Sequence, residues 1–179
     1  MKEFVTHALV LRVERSREYD RVATLFTKDL GRVRVKVTSG ARLLSKFAPH
    51  LDPLNLVRVR LAHKNGYTLT DVLTEERFAA MRKDSARFGR ALRAAALVLA
   101  LSAEGEPDLR IWHELVRALT DDALVLRSLL AYFGYDVAHA SCERCGANPA
   151  PQFAVPLHAL LCMGCAATLP EHALLLIGE

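Results

Sequence analysis

The N-terminal part of the chain alternates apolar and polar side chains in the way that β-strands do. The clearest example runs from Gly31 to Val37, where valines and basic residues take turns. Because successive side chains of a strand point to opposite faces, one face of this segment is apolar and the other is cationic. Residues 55–62 repeat the pattern, with arginines at positions 58 and 60. Each segment therefore predicts a strand with one face in a core and a basic face in solvent.

Three further segments are rich in β-branched or aromatic residues and are predicted as strands: residues 8–13, 22–27 and 67–73. Residues 29–31 predict one hairpin connection. Lys64-Asn65-Gly66 predicts another, because an Asn-Gly pair accommodates positive φ at both central turn positions. Five short strands with close connections predict a five-stranded OB-fold β-barrel over residues 1–77.

From residue 78 onwards the apolar residues recur at the spacing of an α-helix. Three helices are predicted. One begins at about residue 78, one near Asp108, and the third has Asp121 or Asp122 as its N-cap and ends at Gly134. The protein is therefore predicted to be α+β, with an OB-fold domain at 1–77 and an α-helical domain at 78–179.

All four cysteines lie in two pairs of identical spacing, Cys142-x-x-Cys145 and Cys162-x-x-Cys165, which are separated by residues 146–161. This spacing is typical of a tetrahedral zinc site. A redox dithiol would need only one pair, and disulfides would need an oxidising compartment. We predict one structural zinc ion per chain. With four protein ligands, it has no open position for a catalytic water.

The turns around these cysteines also have predicted roles. Gly146 and Gly164 are expected to allow the tight turns beside the two pairs. Arg144, together with backbone amides, is expected to offset part of the negative charge of four thiolates. The zinc element is thus predicted to span residues 142–165 and to hold this part of the chain together.

The net charge of +4 is unevenly distributed. Residues 1–80 contain 15 basic and 9 acidic residues, whereas residues 81–179 contain 9 and 11. A basic N-terminal half favours a polyanionic partner, although a solvated basic face without a ligand has the same composition. The sequence contains no apolar run of about 18 residues and no signal-peptide core, so we predict a cytoplasmic protein without a membrane partner.

No motif for catalysis is recognisable. The sequence lacks the phosphate-binding Gly-x-x-x-x-Gly-Lys loop, the His-Glu-x-x-His zinc motif and the Gly-x-Ser-x-Gly nucleophile turn. Its seven histidines have no partner that spacing identifies. We therefore predict that the protein is not an enzyme.

The order of these features resembles the RecO family of bacterial DNA-repair proteins. The segments that look like that family's opening strands are Ala8–Arg12, Asp20–Arg21, Thr24–Thr27 and Gly31–Val33. Two further segments are similar to its basic loop and to the helix that enters its zinc element: Gly40–Arg42 with Ser45–Phe47, and Leu129–Leu130 with Gly134–Tyr135.

The resemblance implies a recombination mediator that binds single- and double-stranded DNA without sequence preference and anneals complementary strands. It also implies action with RecR and the single-strand-binding protein to load RecA onto gapped DNA, in the cytoplasm at the nucleoid. Two departures stand out. The family usually continues through further helices after the zinc element, so the run 174–177 is expected to pack elsewhere or on a second copy. His158-Ala159 stands where the family often has glycine, so the turn there is expected to differ.

Lysine and arginine bind DNA by neutralising phosphates and releasing counterions. The candidate DNA-binding residues are Arg32, Arg34, Lys36, Arg42, Lys46, Arg58 and Arg60 in the barrel, and Lys83, Arg87 and Arg90, which are predicted to form a stripe on the first helix. Three aromatic residues are candidates for stacking on bases, and the alternative for each is a place in the core or rim of the barrel: Tyr19, Phe47 and Tyr67.

Two other functions fit the same sequence features. An RNA- or ribosome-associated zinc-ribbon protein would carry a similar barrel and zinc element. A protein-interaction module would use the zinc element to dock a partner, and its basic face would then be incidental. Competition between RNA and DNA separates the first from a DNA-binding protein, and the effect of zinc-region changes on DNA binding separates the second.

Overall fold

The alternating segments of the N-terminal half form a closed β-barrel. The computed structural model describes residues 2–16, 21–37, 46–121 and 125–177. The barrel strands are β1 (Lys2–Arg15), β2 (Arg21–Thr27), β3 (Gly31–Val37), β4 (Leu56–His63) and β5 (Tyr67–Glu76). Their order is β1-β2-β3-β5-β4, with β4 paired back to β1. Only β3 and β5 are parallel. The predicted α+β class and five-stranded barrel are confirmed.

The barrel interior is formed by the valine rows that the alternation predicts. Val33, Val35 and Val37 of β3 are completely buried, and Val57 and Val59 of β4 are buried opposite them. The basic residues between them point outward. Burying one valine contributes roughly 1.5–3 kcal/mol, so these rows determine which face of each strand turns inward.

Strand β1 is longer than predicted because it serves two cores. Ala8 and Val10 point into the barrel, while Leu9 and Leu11 pack outward against the helices. Residues 2–9 pair with β4 and the second half pairs with β2. The first six of these residues mix charged and apolar side chains, so periodicity alone does not identify them as a strand.

The β4–β5 connection differs from the predicted turn. His63 and Tyr67 are paired, so the loop holds three residues instead of two. Gly66 has a φ of 103°, whereas Asn65 is not among the residues with positive φ. A three-residue hairpin loop characteristically places only its last residue in the left-handed region, which explains the difference.

The helices are α1 (Ala79–Lys83), α2 (Ser85–Leu101), α3 (Leu109–Thr120), α4 (Leu126–Tyr132) and α5 (Met163–Ala166). The single first helix predicted from the sequence is wrong. Asp84 is extended, and its carboxylate accepts hydrogen bonds from the amides of Ala86 and Arg87, which makes it the N-cap of α2. Asp121 is the C-cap of α3 and not an N-cap of α4. Asp122 lies outside the described residues.

The second of the two hydrophobic cores is shared by the outside of the barrel and the helices. Leu9 and Phe26 on the outside of the barrel are completely buried against apolar residues of the helices. The segment after α2 also runs along β3. The Gly105 amide donates to the Arg32 carbonyl at 2.9 Å, and the Arg32 Nε donates to the Ser102 carbonyl at 2.9 Å. The proposed division into two domains near residue 78 stays a prediction, although β5 ends at Glu76 and α1 begins at Ala79.

Three short strands near the C-terminus form a second sheet of order β7-β6-β8: β6 (Gln152–Ala154), β7 (Ala159–Leu161) and β8 (Leu174–Leu176). Of the two expectations for residues 174–177, packing elsewhere or on a second copy, the structure supports the first, because β8 pairs with β6 of the same chain. Leu175 and Ile177 are buried in the shared core. Within the described residues, no helix has the length and apolar character needed to cross a membrane.

Candidate metal centre and nucleic-acid interface

The four cysteines converge on one point. Their sulfur atoms all lie within 4.8 Å of one another, and the Cys145 Sγ is 3.7 Å from the Cys162 Sγ. A tetrahedral zinc ion with bonds of about 2.3 Å to sulfur separates its ligands by about 3.8 Å. The spacing of the sulfurs therefore suits such an ion. The group can hold a metal, as the sequence pattern predicted.

Each pair of cysteines is shaped by its own backbone turn. The Gly146 amide donates to the Cys142 carbonyl at 2.8 Å, and Gly146 has a φ of 75°. The predicted role of Gly146 is thus supported. Cys162 is the N-cap of α5, and its sulfur accepts from the Cys165 amide at 3.5 Å. Gly164 lies within α5 and has no positive φ, so its predicted role in a special turn is wrong.

The two pairs are joined through β7. The Glu143 amide donates to the Leu160 carbonyl at 3.0 Å, and the Leu160 amide donates to the Glu143 Oε1 at 3.0 Å. His158, before β7, adopts a left-handed conformation with a φ of 51°. This is where the resemblance suggested a different turn, and the conformation explains why glycine suits that position. The side chain of Arg144 donates to the Thr168 hydroxyl at 2.8 Å.

Neighbouring groups shift two of the thiols in opposite directions. Hydrogen bonding with the backbone of Cys162, and then of Cys145 and Arg144, lowers the pKa of Cys142 to about 6. Hydrogen bonding with the side chain of Cys145, burial, and the other two thiols raise the pKa of Cys165 to about 12. Four sulfurs this close cannot all become thiolates unless a cation lies between them. The donor set thus fits a thiophilic divalent cation such as zinc.

On the barrel, the cationic row of β3 is only partly available to a ligand. Arg34 and Lys36 are exposed. Among the described residues, neither has an ion pair or a side-chain hydrogen bond with another residue. Arg32 differs, because its guanidinium is bound to the Ser102 carbonyl and holds the barrel to the helices. Arg32 therefore contributes to this junction, and its contact with DNA stays a prediction.

The candidates on β4 are already paired with acids. The Arg58 Nε lies 3.1 Å from the Glu75 Oε1, and an Arg60 nitrogen lies 3.5 Å from Glu3. His7 also contacts Glu75, at 2.7 Å. Burial opposes ionisation of Glu75, but hydrogen bonds and the charges of His7 and Arg58 outweigh it, and the pKa of Glu75 is lowered. These arginines thus lie in a mixed-charge face.

The remaining predicted DNA-binding residues belong to different parts of the chain. Lys46 lies 3.9 Å from Asp71 and stacks over Phe47. Arg42 lies outside the described residues. The predicted basic stripe does not lie on a single helix, because Lys83 ends α1 and Arg87 belongs to α2, with the extended Asp84 between them. The contact of these residues with DNA stays a prediction. Arg90 follows on α2, and Arg87 donates to the Thr120 carbonyl at 3.1 Å.

The register reveals basic residues beside β3 that the sequence reasoning missed. Thr24 of β2 is paired with Arg12 on one side and with Arg34 on the other. Arg15 and Arg21 lie directly opposite each other where β1 and β2 join. Arg12 is bound to Glu14 at 2.7 Å. Alternation along single strands could not identify this three-stranded grouping, because it depends on the pairing of β1 with β2.

The barrel topology and the four-cysteine group define an OB-fold protein with an element that can hold a metal ion. A family model described as "Recombination protein O N terminal" matches residues 1–78. The DNA repair protein RecO of Desulforudis audaxviator is 31% identical over 92% of this chain and 71% of its own length. That of Streptomyces avermitilis is 31% identical over 99% of this chain and 82% of its own length.

A third relative, the DNA repair protein RecO of Roseiflexus sp., is 31% identical over 90% of this chain and 62% of its own length. The chain thus spans between about three fifths and four fifths of these relatives. It belongs to the RecO family, which confirms the resemblance seen in the sequence.

Proposed function

We propose that this chain is a DNA-binding recombination mediator. In this proposal it binds single- and double-stranded DNA without sequence preference, anneals complementary strands, and acts with RecR and the single-strand-binding protein to load RecA. It acts in the cytoplasm at the nucleoid and catalyses no reaction of its own. Family membership supports the role in recombinational repair, and the relatives carry the name DNA repair protein.

The observation that carries the DNA-binding part is the contrast between β3 and β4. Arg34 and Lys36 are exposed without acidic partners among the described residues, whereas Arg58 and Arg60 are bound to Glu75 and Glu3. A phosphate that contacts a free cation releases counterions without breaking an ion pair. We therefore assign the main phosphate contacts to the β3 row.

This placement also suits annealing. Phosphate contacts to Arg34 and Lys36 leave the base edges of a bound strand unread, which is why binding is indifferent to sequence. By screening the charges of two strands, the cations reduce the repulsion between them. Exposed bases can then pair with a complementary strand.

In the same proposal, the four cysteines bind one structural zinc ion. When bound, the ion would cross-link residues 142–165. It would hold no reactive water, because the four sulfurs would complete its coordination. The hydrogen bonds between Glu143 and Leu160 place the two cysteine pairs at the sheet β7-β6-β8. Zinc would thereby stabilise the part of the shared core that this sheet covers.

Fluorescence anisotropy over a series of salt concentrations tests the DNA interface. Each phosphate contact to single-stranded DNA contributes about 0.7 to the slope of log K against log salt, and about 0.9 to that for duplex. The double variant Arg34→Gln/Lys36→Gln, which removes two contacts, should therefore lower the magnitude of the slope by about 1.4 for single-stranded DNA and by about 1.8 for duplex DNA. The double variant Arg58→Gln/Arg60→Gln removes the same charge from a neighbouring strand and is the matched control.

The control should change the slope by less than half as much, since its arginines are engaged by acids. Equal effects of the two double variants would show that binding follows net charge alone, and the assignment to β3 would be abandoned. Absence of DNA binding by the wild-type chain at low salt would refute the function itself. Tighter binding to RNA than to DNA would favour the RNA-associated alternative.

A further inference from the structure

An aromatic cluster lies at the end of the barrel where β1 and β5 begin and β4 ends. Tyr67 contacts Phe4 edge to face at a centroid distance of 6.0 Å, and His63 lies over Tyr67 at 4.6 Å. All three rings are half-buried. Phe4 and Tyr67 pack against the barrel core, and all three residues remain partly exposed to solvent.

Two lysines lie at the same end of the barrel as the cluster. The Lys2 Nζ lies 4.9 Å from the centre of the Phe4 ring, and Lys64 is exposed in the adjoining loop. Glu3 lies nearby but is bound to Arg60. Among the described residues, Lys2 has no carboxylate partner. Charge at this end of the barrel thus favours an anionic ligand.

The cluster lies one strand spacing from the β3 row, on the other face of the sheet. Tyr67 is paired with Val35, and Thr68 with Lys36, across the parallel β3–β5 contact. Paired residues share a face, so Tyr67 lies on the inner face with Val35, and Thr68 lies on the outer face with Lys36. Tyr67 is the first residue of β5 and lies at the rim of the barrel. A polynucleotide held by Arg34 and Lys36 would therefore reach the cluster by passing over this rim.

We propose that Phe4, His63 and Tyr67 form a base-stacking site for single-stranded DNA. The inference rests on the proposed DNA binding. It adds a physical reason for the protein to prefer single-stranded DNA to duplex DNA. Aromatic rings stack with every base, so the site keeps sequence indifference while adding affinity that a phosphate row alone cannot supply. In duplex DNA the faces of the bases are already stacked. The site therefore favours single strands.

Variants of Tyr67 test this assignment with three fluorescent probes: an oligothymidylate, an abasic oligonucleotide of equal charge, and a duplex. Tyr67→Leu should weaken binding of the oligothymidylate by about fivefold or more, since one stacked base contributes about 1–3 kcal/mol. Binding of the abasic strand and the duplex should stay within about twofold. Tyr67→Phe should behave as wild type. Tyr132→Leu, on the distant helix α4, is the matched control.

Cross-linking of the unmodified protein provides a measurement that does not depend on a folded variant. Irradiation with an oligonucleotide containing 5-iodouracil should attach the base to Phe4, His63 or Tyr67, as mapped by mass spectrometry. Unchanged oligothymidylate binding by Tyr67→Leu, or an equal loss for all three probes, would overturn the stacking site. So would cross-links confined to other segments. If wild-type protein binds none of the probes, the proposed function fails as well.

Discussion

Gly31 is the point where the barrel meets the segment that follows α2, and replacing it should be unusually costly. It begins β3 with a φ of 65°. A Cβ at this position would overlap the carbonyl group of Glu106 and lie 2.7 Å from the Pro107 nitrogen. Both obstacles belong to the backbone, so no side-chain rotation removes them. Gly31→Ala must shift the segment or the strand.

The size of the effect follows from two contributions. A left-handed conformation costs a residue with a Cβ about 1–2 kcal/mol. Overpacking against a rigid neighbour adds about 1–3 kcal/mol. The expected loss is therefore about 2–5 kcal/mol, which corresponds to a decrease in melting temperature of about 4–20 °C in a protein of this size.

Thermal unfolding followed by circular dichroism measures this loss, and Gly105→Ala is its control. Gly105 lies in the same segment with a φ of 79°, but a Cβ there would have no atom within 4 Å. The control should lose only the conformational part, about 1–2 kcal/mol. If both variants lost equal stability, the close approach of residues 104–107 to β3 would be refuted.

Three further predictions concern the metal centre and the helices. Cys145→Ser should abolish the zinc content measured by mass spectrometry of the purified protein and lower its melting temperature; full zinc retention would contradict a four-cysteine site. His158→Gly should raise the free energy of unfolding by up to about 1 kcal/mol, because glycine adopts a positive φ without strain, and a loss on chemical denaturation would contradict this. Asp108→Asn should be less stable than wild type at neutral pH. Hydrogen bonding with the side chain of Arg110 lowers the pKa of Asp108. The Asp108 carboxylate therefore stabilises the fold at pH values above its unfolded pKa. The chemical denaturation curves of Asp108→Asn and wild type should converge as the pH falls through the folded pKa of Asp108.

The predictions for the zinc element and for Asp108 each have a further check. Cys145→Ser should be compared with a serine variant of Cys142, which is buried and should lose at least as much stability. For Asp108, a stability difference that persists unchanged at acidic pH would show that the ion pair does not contribute through its charge.

Much of the site was predictable because it depends on local spacing. Each cysteine pair is separated by two residues, which lets one turn direct both sulfurs to the same side. The valines of β3 and β4 alternate strictly, so a period of two assigns both their inner and outer faces. These features are encoded within a few consecutive residues and were confirmed in the structure.

Sequence reasoning missed contacts that distant parts of the chain, or a cap, make with a residue. Arg32 has the same sequence context as Arg34, but the segment after α2 reaches it and binds its guanidinium. Likewise, the apolar spacing continued through Asp84, whose carboxylate instead caps a new helix. Periodicity indicates which side of a helix or strand is apolar. It does not indicate whether another segment will contact a side chain on it, or whether a capping residue will end it.

The sequence by itself determined the strand character of the N-terminal half, the cationic outer row of β3 and the four-cysteine group, because each is a repeat or spacing along one stretch of chain. Only the tertiary structure decided which cations are free. Arg58 and Arg60 have the same alternation as Arg34 and Lys36, but the pairing of β4 with β1 and β5 brings Glu3 and Glu75 to the β4 arginines. Barrel closure thus distributes the acidic partners unevenly, and for this reason we propose Arg34 and Lys36 of β3 as the phosphate contacts.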